Sequence, residues 1–279
     1  MAIIPKPYIN AVVAIGVLSG AEIKWCGTGF LAYRYADEQK EHVKPLLITN
    51  KHVFEKEQQV VIRLRKEDGE TTVDVNAALY EDGVCLYKTH PNPNIDIAVL
   101  PLNGKYFEEN HVAFFGFDID EGNSMSSDQL REAGVSEGAL IHMLGFPMGL
   151  VNETSPDPIC RLGCIARMTT SQIQETQNIL VDIQNFPGNS GSPIIVRPEL
   201  LSVGNTKSNM KCVLLGIIHS YIPYQETLQN TQTKQIVEVR SENSGLAKVH
   251  PVEYIREVVD LIIAKPSTET PVEEEKEIV

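Results

Sequence analysis

Hydrophobic residues in this chain gather in short runs rather than in long periodic stretches. Residues 9–17, 46–53, 94–100, 138–147, 179–183, 192–196 and 213–219 are rich in Val, Ile and Leu, and the short apolar runs are punctuated by Gly, Pro, Asn and Asp. Such runs predict β-strands, because branched side chains suit a pleated sheet and the bounding residues suit turns. Helical spacing stands out once. Val252, Ile255, Val258, Val259 and Ile262 fall on one stripe of a predicted closing helix over 251–263. The fold class read from this pattern is all-β. Residues 119–137, rich in Asp, Glu, Ser and Gly, read as a linker between an N-terminal unit (1–118) and a C-terminal one (138–264).

Composition narrows the picture. A chain of 279 residues, 42% hydrophobic, can bury a substantial core. No stretch of 18 apolar residues occurs, so no transmembrane helix and no membrane partner are expected. The net charge of −13 argues against a nucleic-acid partner, which needs clustered Lys and Arg. Part of that charge is local, since Glu269, Glu273, Glu274, Glu275 and Glu277 face only Lys276 near the end. With its prolines, the segment 265–279 reads as a disordered, solvated tail, the alternative being a docking tail for a regulatory protein partner. The start of the chain lacks a long apolar region followed by a small-residue cleavage site, and Cys26, Cys85, Cys160, Cys164 and Cys212 are odd in number and scattered. Both features predict a cytoplasmic protein with reduced thiols. Cys160 and Cys164 would make half a zinc site, but no second pair follows, so no metal or cofactor is expected.

Three segments carry candidate chemistry. Pro187-Gly188-Asn189-Ser190-Gly191-Ser192-Pro193 sets a hydroxyl between two glycines, where backbone can turn sharply and aim N–H groups at one point. A tight surface turn would use the same residue types. Leu46-Leu47-Ile48-Thr49-Asn50-Lys51-His52-Val53 ends an apolar strand in a histidine, which is either a base or a half-buried side chain at a strand end. Asn94-Ile95-Asp96-Ile97-Ala98-Val99-Leu100 places one carboxylate in an apolar strand. Such a group either faces solvent or finds a partner, and an imidazole N–H would be a suitable one.

Taken together, and in the order His52, Asp96, Ser190, these segments resemble trypsin-like serine proteases. Gly27-Thr28-Gly29-Phe30-Leu31 resembles the strand that pairs with the histidine segment, and Gly145-Phe146-Pro147 a strand of the second half. Subtilisins and α/β-hydrolases carry the three groups in other orders. The resemblance covers roughly residues 8–262 and is closer to HtrA-like and short intracellular forms than to digestive enzymes, because Gly-Asn-Ser-Gly replaces Gly-Asp-Ser-Gly. It implies two six-stranded antiparallel β-barrels with a C-terminal helix. It also implies a serine endopeptidase in which His52 is the general base, Asp96 orients it, Ser190 is the nucleophile, and Gly188, Asn189 and Ser190 form the oxyanion hole. Asn189 lacks the charge with which an Asp would pair to a freshly cut N-terminal ammonium, so maturation without cleavage is expected. The stretch after the helix is too short for a PDZ module.

The same resemblance places the primary pocket between Gln184, Asn185, Phe186 and His219, Ser220, Tyr221. No acidic residue occupies its floor, so a preference for Lys or Arg is not implied. Relatives that select acidic or amide side chains carry Gly-Ile-His in this strand, whereas here Gly216-Ile217-Ile218-His219 is one residue longer. One step along a strand turns a side chain to the opposite face unless a bulge intervenes, leaving a selective and a structural histidine as the alternatives. A protein or peptide substrate is expected, with a catalytically silent binding module or a general esterase as the competing functions. Loops 202–209 and 222–233 are candidates for gating or partner binding, or are ordinary insertions.

Overall fold

A computed structural model describes residues 4–37, 39–152, 156–199, 204 and 206–263. The expected tail and parts of the 202–209 loop lie outside the described residues. The N-terminal half is built from β1 (Val12–Ser19), β2 (Glu22–Tyr35), β3 (Val43–Thr49), β4 (Gln59–Arg65), β5 (Thr72–Ala78), a small hairpin of β6 (Tyr80–Glu81) and β7 (Val84–Cys85), then β8 (Lys88–Thr89), β9 (Ala98–Pro101) and β10 (Phe117–Asp118). Its main sheet runs β5-β4-β1-β2-β3-β9-β8, with β10 added parallel to β2. In the C-terminal half, β11 (Leu140–Gly145), β12 (Ile159–Arg167), β13 (Ile179–Asp182), β14 (Pro193–Val196), β15 (Val213–Gln229) and β16 (Ile236–Pro251) close into a barrel in the order β11-β12-β13-β16-β15-β14. The all-β architecture expected from the short apolar runs is therefore present, with full closure seen in the second half.

Each half wraps its own core. Ile15, Leu31, Leu47, Phe54, Val60 and Leu100 fill the first, and Ile141, Met143, Val181, Ile194, Leu215 and Val249 the second. A third cluster joins them: Phe30, Ile48, Ile95 and Phe117 meet Phe146, Ile195 and Ile217. The predicted closing helix, α6 (Val252–Asp260), seals this junction with buried Val252, Ile255, Val258 and Val259. Fully buried Arg34 of β2 reinforces it, donating two hydrogen bonds of 2.7 Å to Asp120, one of 2.6 Å to Asp260 and one to the Ile263 carbonyl. A guanidinium withdrawn from water is tolerated because its donors meet carboxylates in fork geometry. The stretch read as a linker is packed too. It carries the helix Ser127–Glu132, capped by a reciprocal Ser126–Gln129 pair, with Leu130 buried beneath. The junction between the halves is thus a packed core that fixes each relative to the other.

Candidate active site

The first half contributes a histidine and a carboxylate in direct contact. Strand β3 ends at Thr49, and Asn50 starts a single helical turn, Lys51–Phe54, anchored by buried Val53 and Phe54. His52 sits on the open side of that turn with its side chain about half exposed. Pairing of Thr49 with Ala98 brings the start of β9, and with it Asp96, alongside. Buried Ile95 and Ile97 flank Asp96 and fix the segment, while Asn50 Nδ2 donates to the Asp96 carbonyl at 2.7 Å. One carboxylate oxygen accepts the His52 backbone N–H at 3.0 Å, and the other lies 2.5 Å from His52 Nδ1. An ionised carboxylate only accepts hydrogen bonds, so the shared proton belongs to Nδ1 and the lone pair faces outward on Nε2. Burial pushes the Asp96 carboxyl up, but the hydrogen bonds and charge of His52 outweigh it and hold the group below the usual carboxylate value.

The second half contributes Ser190 on a loop fixed by backbone contacts. Asn189 N–H bonds the Phe186 carbonyl at 3.1 Å, and Ser192 N–H bonds the Asn189 carbonyl at 2.9 Å. Thr28 of β2 reaches across and holds the loop at two points. Its N–H donates to the Ser190 carbonyl at 2.9 Å, and its hydroxyl donates to the Gly188 carbonyl at 2.7 Å while accepting from Phe146 N–H at 3.0 Å. Thr49, three residues before His52, closes the chain by donating its hydroxyl to the Thr28 carbonyl at 2.7 Å. The nucleophile loop is thus tied to the strand that delivers the histidine. Only glycine fits at two of its positions. Gly188 and Gly191 have φ of +93° and +89°, and a Cβ would lie 2.4 Å from the Phe146 carbonyl oxygen in the first and 1.9 Å from the Thr28 carbonyl oxygen in the second.

The N–H groups of this loop divide into spent and free. Asn189 N–H is committed to Phe186, so Asn189 is not available as an oxyanion donor, a correction to the expected trio. Its side chain is fully buried instead, with neither amide atom hydrogen-bonded. Among the described residues, the N–H groups of Gly188 and Ser190 have no intramolecular acceptor. Both remain available to a ligand.

The residues expected to form a specificity pocket are dispersed in role. Asn185 is buried, and its carbonyl accepts from Asn243 Nδ2 at 2.6 Å. Phe186 lies under the Arg161 guanidinium at 5.1 Å. Gln184 approaches Gly245, while Ser220 pairs with Lys248 and Tyr221 with Ala247 along β15–β16. A bulge between Ile218 and Ser220 falls at His219. The His219 ring stacks on His250 with centroids 4.0 Å apart, and its Nε2 lies 2.7 Å from Asn178 Oδ1. Burial and the neighbouring His250 push the His219 imidazole down to about 3, despite the opposing pull of Asp96. His250 is itself fully buried, lies 2.9 Å from the Gln177 carbonyl through Nδ1, and accepts the Asp96 backbone N–H through Nε2 at 3.0 Å. This pair therefore supports the Asp96 segment from below, a task that no local sequence signal announces. His250 lies 154 residues from the group it holds.

Comparison with known proteins agrees with the geometry. A family model described as a trypsin-like peptidase domain matches residues 27–204. No curated protein sequence matches the chain. Among solved structures, the HtrA-type protease AlgW with a tripeptide superposes with a TM-score of 0.50 at 17% identity, covering 92% of this chain and 61% of that one. AlgW with a decapeptide gives 0.49 at 15% identity, covering 91% and 65%, and the apo MamO protease domain from Magnetospirillum magneticum gives 0.45 at 13%, covering 90% and 96%. The chain spans less than two thirds of the length of the AlgW chains.

Proposed function

Because the chain belongs to the trypsin-like peptidase family, we propose that it is a serine endopeptidase acting through Ser190, His52 and Asp96. The observation that carries this reading is the His52–Asp96 contact, together with a Ser190 loop that has two unspent amides and is tied through Thr28 and Thr49 to the strand preceding His52. His52 Nε2 takes the hydroxyl proton as Ser190 Oγ attacks the scissile carbonyl, and Asp96 stabilises the imidazolium that forms. The developing oxyanion is held by the N–H groups of Gly188 and Ser190. Collapse breaks the C–N bond, with the proton passing from His52 to the departing amine. Water, deprotonated by the same imidazole, then releases the acyl group and regenerates Ser190.

An extended peptide suits this site. Strand β15 pairs with β14 only as far as Ile217, so beyond that residue one edge of β15 has no strand partner among the described residues. A free edge accepts a peptide as an added strand, with the main chain giving affinity and side-chain pockets giving selectivity. All five cysteines are free thiols, which supports a reducing compartment such as the cytoplasm. No helix among the described residues is long and apolar enough to cross a membrane. Incubation with a peptide library tests the proposal. The wild type is expected to cleave internal bonds and Ser190→Ala to leave them intact; equal cleavage by both would overturn it.

A further inference from the structure

We propose that Arg63, on β4 of the first half, is a positioning residue that sets the Gly188 amide from across the interface. This rests on the peptidase reading above. The Phe186–Asn189 segment is a β-turn closed by the Asn189 N–H to Phe186 carbonyl bond, with Gly188 at its third position and φ of +93°. Positive φ at that position defines a type II turn, whereas rotating the central Pro187–Gly188 peptide gives a type I turn with the closing bond kept. Glycine adopts either sign of φ readily, so the turn alone does not select the state.

The selecting contact comes from outside the loop. The Pro187 carbonyl accepts the N–H of Met148 at 2.6 Å. In a trans peptide the C=O and the following N–H point in opposite directions, so holding the Pro187 oxygen at Met148 turns the Gly188 N–H away from Met148. Met148 is in turn strained, with φ of 56° and ψ of 21° in a non-glycine residue. Such a conformation costs about 1–3 kcal/mol and persists only where surroundings impose it. The Met148 side chain is largely exposed and does not impose it. The turn is closed by its own Gly149 N–H to Phe146 carbonyl and Leu150 N–H to Pro147 carbonyl bonds, and the loop is held at its two ends by the first half.

At the first end, Phe146 N–H bonds the Thr28 hydroxyl. At the second, Arg63 Nη1 donates to the Asn152 carbonyl at 2.9 Å. Arg63 is well placed for this. Its other nitrogens form a bidentate pair with Asp74 at 2.7 Å, its guanidinium covers Trp25 at 4.8 Å, and only 12% of the side chain is exposed. Trp25 completes the seat, since its carbonyl oxygen would lie 2.8 Å from a Cβ at Gly149, which has φ of +67°. Two positions along β4, Arg65 holds Asp157 at 2.5 Å, so one face of this strand grips the segment that follows the loop. Contacts thus run from Asp74 to Arg63 and from Arg63 to Asn152, the backbone of residues 148–152 leads on to Met148, and Met148 holds the Pro187 carbonyl that turns the Gly188 N–H.

The test compares wild type with Arg63→Gln and Arg63→Lys in the full chain, measuring kcat, KM and the inhibition constant of a peptide aldehyde whose adduct places an oxyanion in the hole. Removal of one oxyanion donor in other serine proteases costs about 10²–10³ in kcat, and an indirect loosening is expected to cost Arg63→Gln about 10-fold or more. KM should change less than threefold, and aldehyde affinity should fall by the same factor as kcat, because both report binding of the tetrahedral species. Arg63→Lys, which keeps a cation beside Asp74, should recover part of both. Should Arg63→Gln fail to fold, Asp74→Asn serves in its place and is expected to show the same pattern more weakly. An active wild type with kcat and aldehyde affinity unchanged in these variants overturns the Arg63 role alone. A wild type without Ser190-dependent turnover overturns the peptidase reading and this proposal with it.

Discussion

The two halves of the site are held in place by different physics. On the first barrel, His52 and Asp96 are oriented by charge and hydrogen bonding, with both carboxylate oxygens committed to His52 and the Asp96 backbone held by Asn50 and His250. On the second, the Ser190 loop makes no ion pair among the described residues and is held by shape, through two positive-φ glycines and the neutral contacts of Thr28 and Met148. Each half is therefore vulnerable to a different kind of change. A change of one atom's charge should disable the first, whereas the second should fail through lost backbone contacts or an added charge.

The largest effect is expected on the first half. Asp96→Asn keeps the shape but offers an amide in place of the acceptor that fixes the Nδ1 proton, and kcat should fall about 10⁴-fold with little change in thermal stability. A loss below tenfold would mean that the contact is structural only. On the second half, Thr28→Val removes a buried hydroxyl while keeping the side-chain shape, leaving the Gly188 carbonyl and the Phe146 N–H without their partner. Each orphaned group costs about 1–3 kcal/mol, so denaturant titration should show a loss of about 2–6 kcal/mol together with reduced turnover. Unchanged stability would show that Thr28 does not hold the loop.

Legibility in the sequence follows the same divide. The His52–Asp96 contact was legible because each residue is the polar member of a short apolar segment that predicts a strand, and the tight Ser190 loop was legible because its hydroxyl sits between two glycines. The stripe of α6 was readable because its period is local. Arg34 was not, since within Tyr33-Arg34-Tyr35 it has the form of a solvent-facing strand residue and its partners lie 86 and 226 residues away. Met148 gave no signal either, because a left-handed backbone is anticipated at glycine or asparagine and not at methionine. The direction of His219 depended on a bulge, and a bulge is set by cross-strand pairing rather than by the strand's own residues.

Asn189→Asp sharpens the comparison by placing a charge where the loop has none. The site is fully buried and no cation is hydrogen-bonded to Asn189, so the carboxyl should be raised above its unfolded value. A raised carboxyl contributes stability below its unfolded pKa and loses it as pH rises through the folded one. The variant should therefore be markedly less stable than wild type at pH 8 and approach it near pH 4. A constant difference across that range would show that position 189 finds a counter-charge.

The smallest effect belongs to the buried imidazole pair. His219 is pushed from 6.5 down to about 3 and His250 is also lowered by burial. Groups depressed in this way contribute stability above their unfolded value and lose it as pH falls below 6.5. His219→Gln should flatten the decline of Tm between pH 6.5 and 4 without moving Tm much at pH 8. A slope identical to wild type would place the acid sensitivity elsewhere, for example in His250; Asp96 would not account for it, since its depressed carboxyl loses its contribution only below the ordinary 3.8.

If side chains from the two halves meet as one proton-transfer unit, covalent trapping will reveal it at Ser190. Treatment with a fluorophosphonate, followed by peptide mass mapping, should give a single adduct on Ser190 in the wild type. Labelling should be slowed by orders of magnitude in His52→Ala and absent in Ser190→Ala. An unlabelled wild type, an adduct on another residue, or labelling of Ser190 that is indifferent to His52 would contradict it.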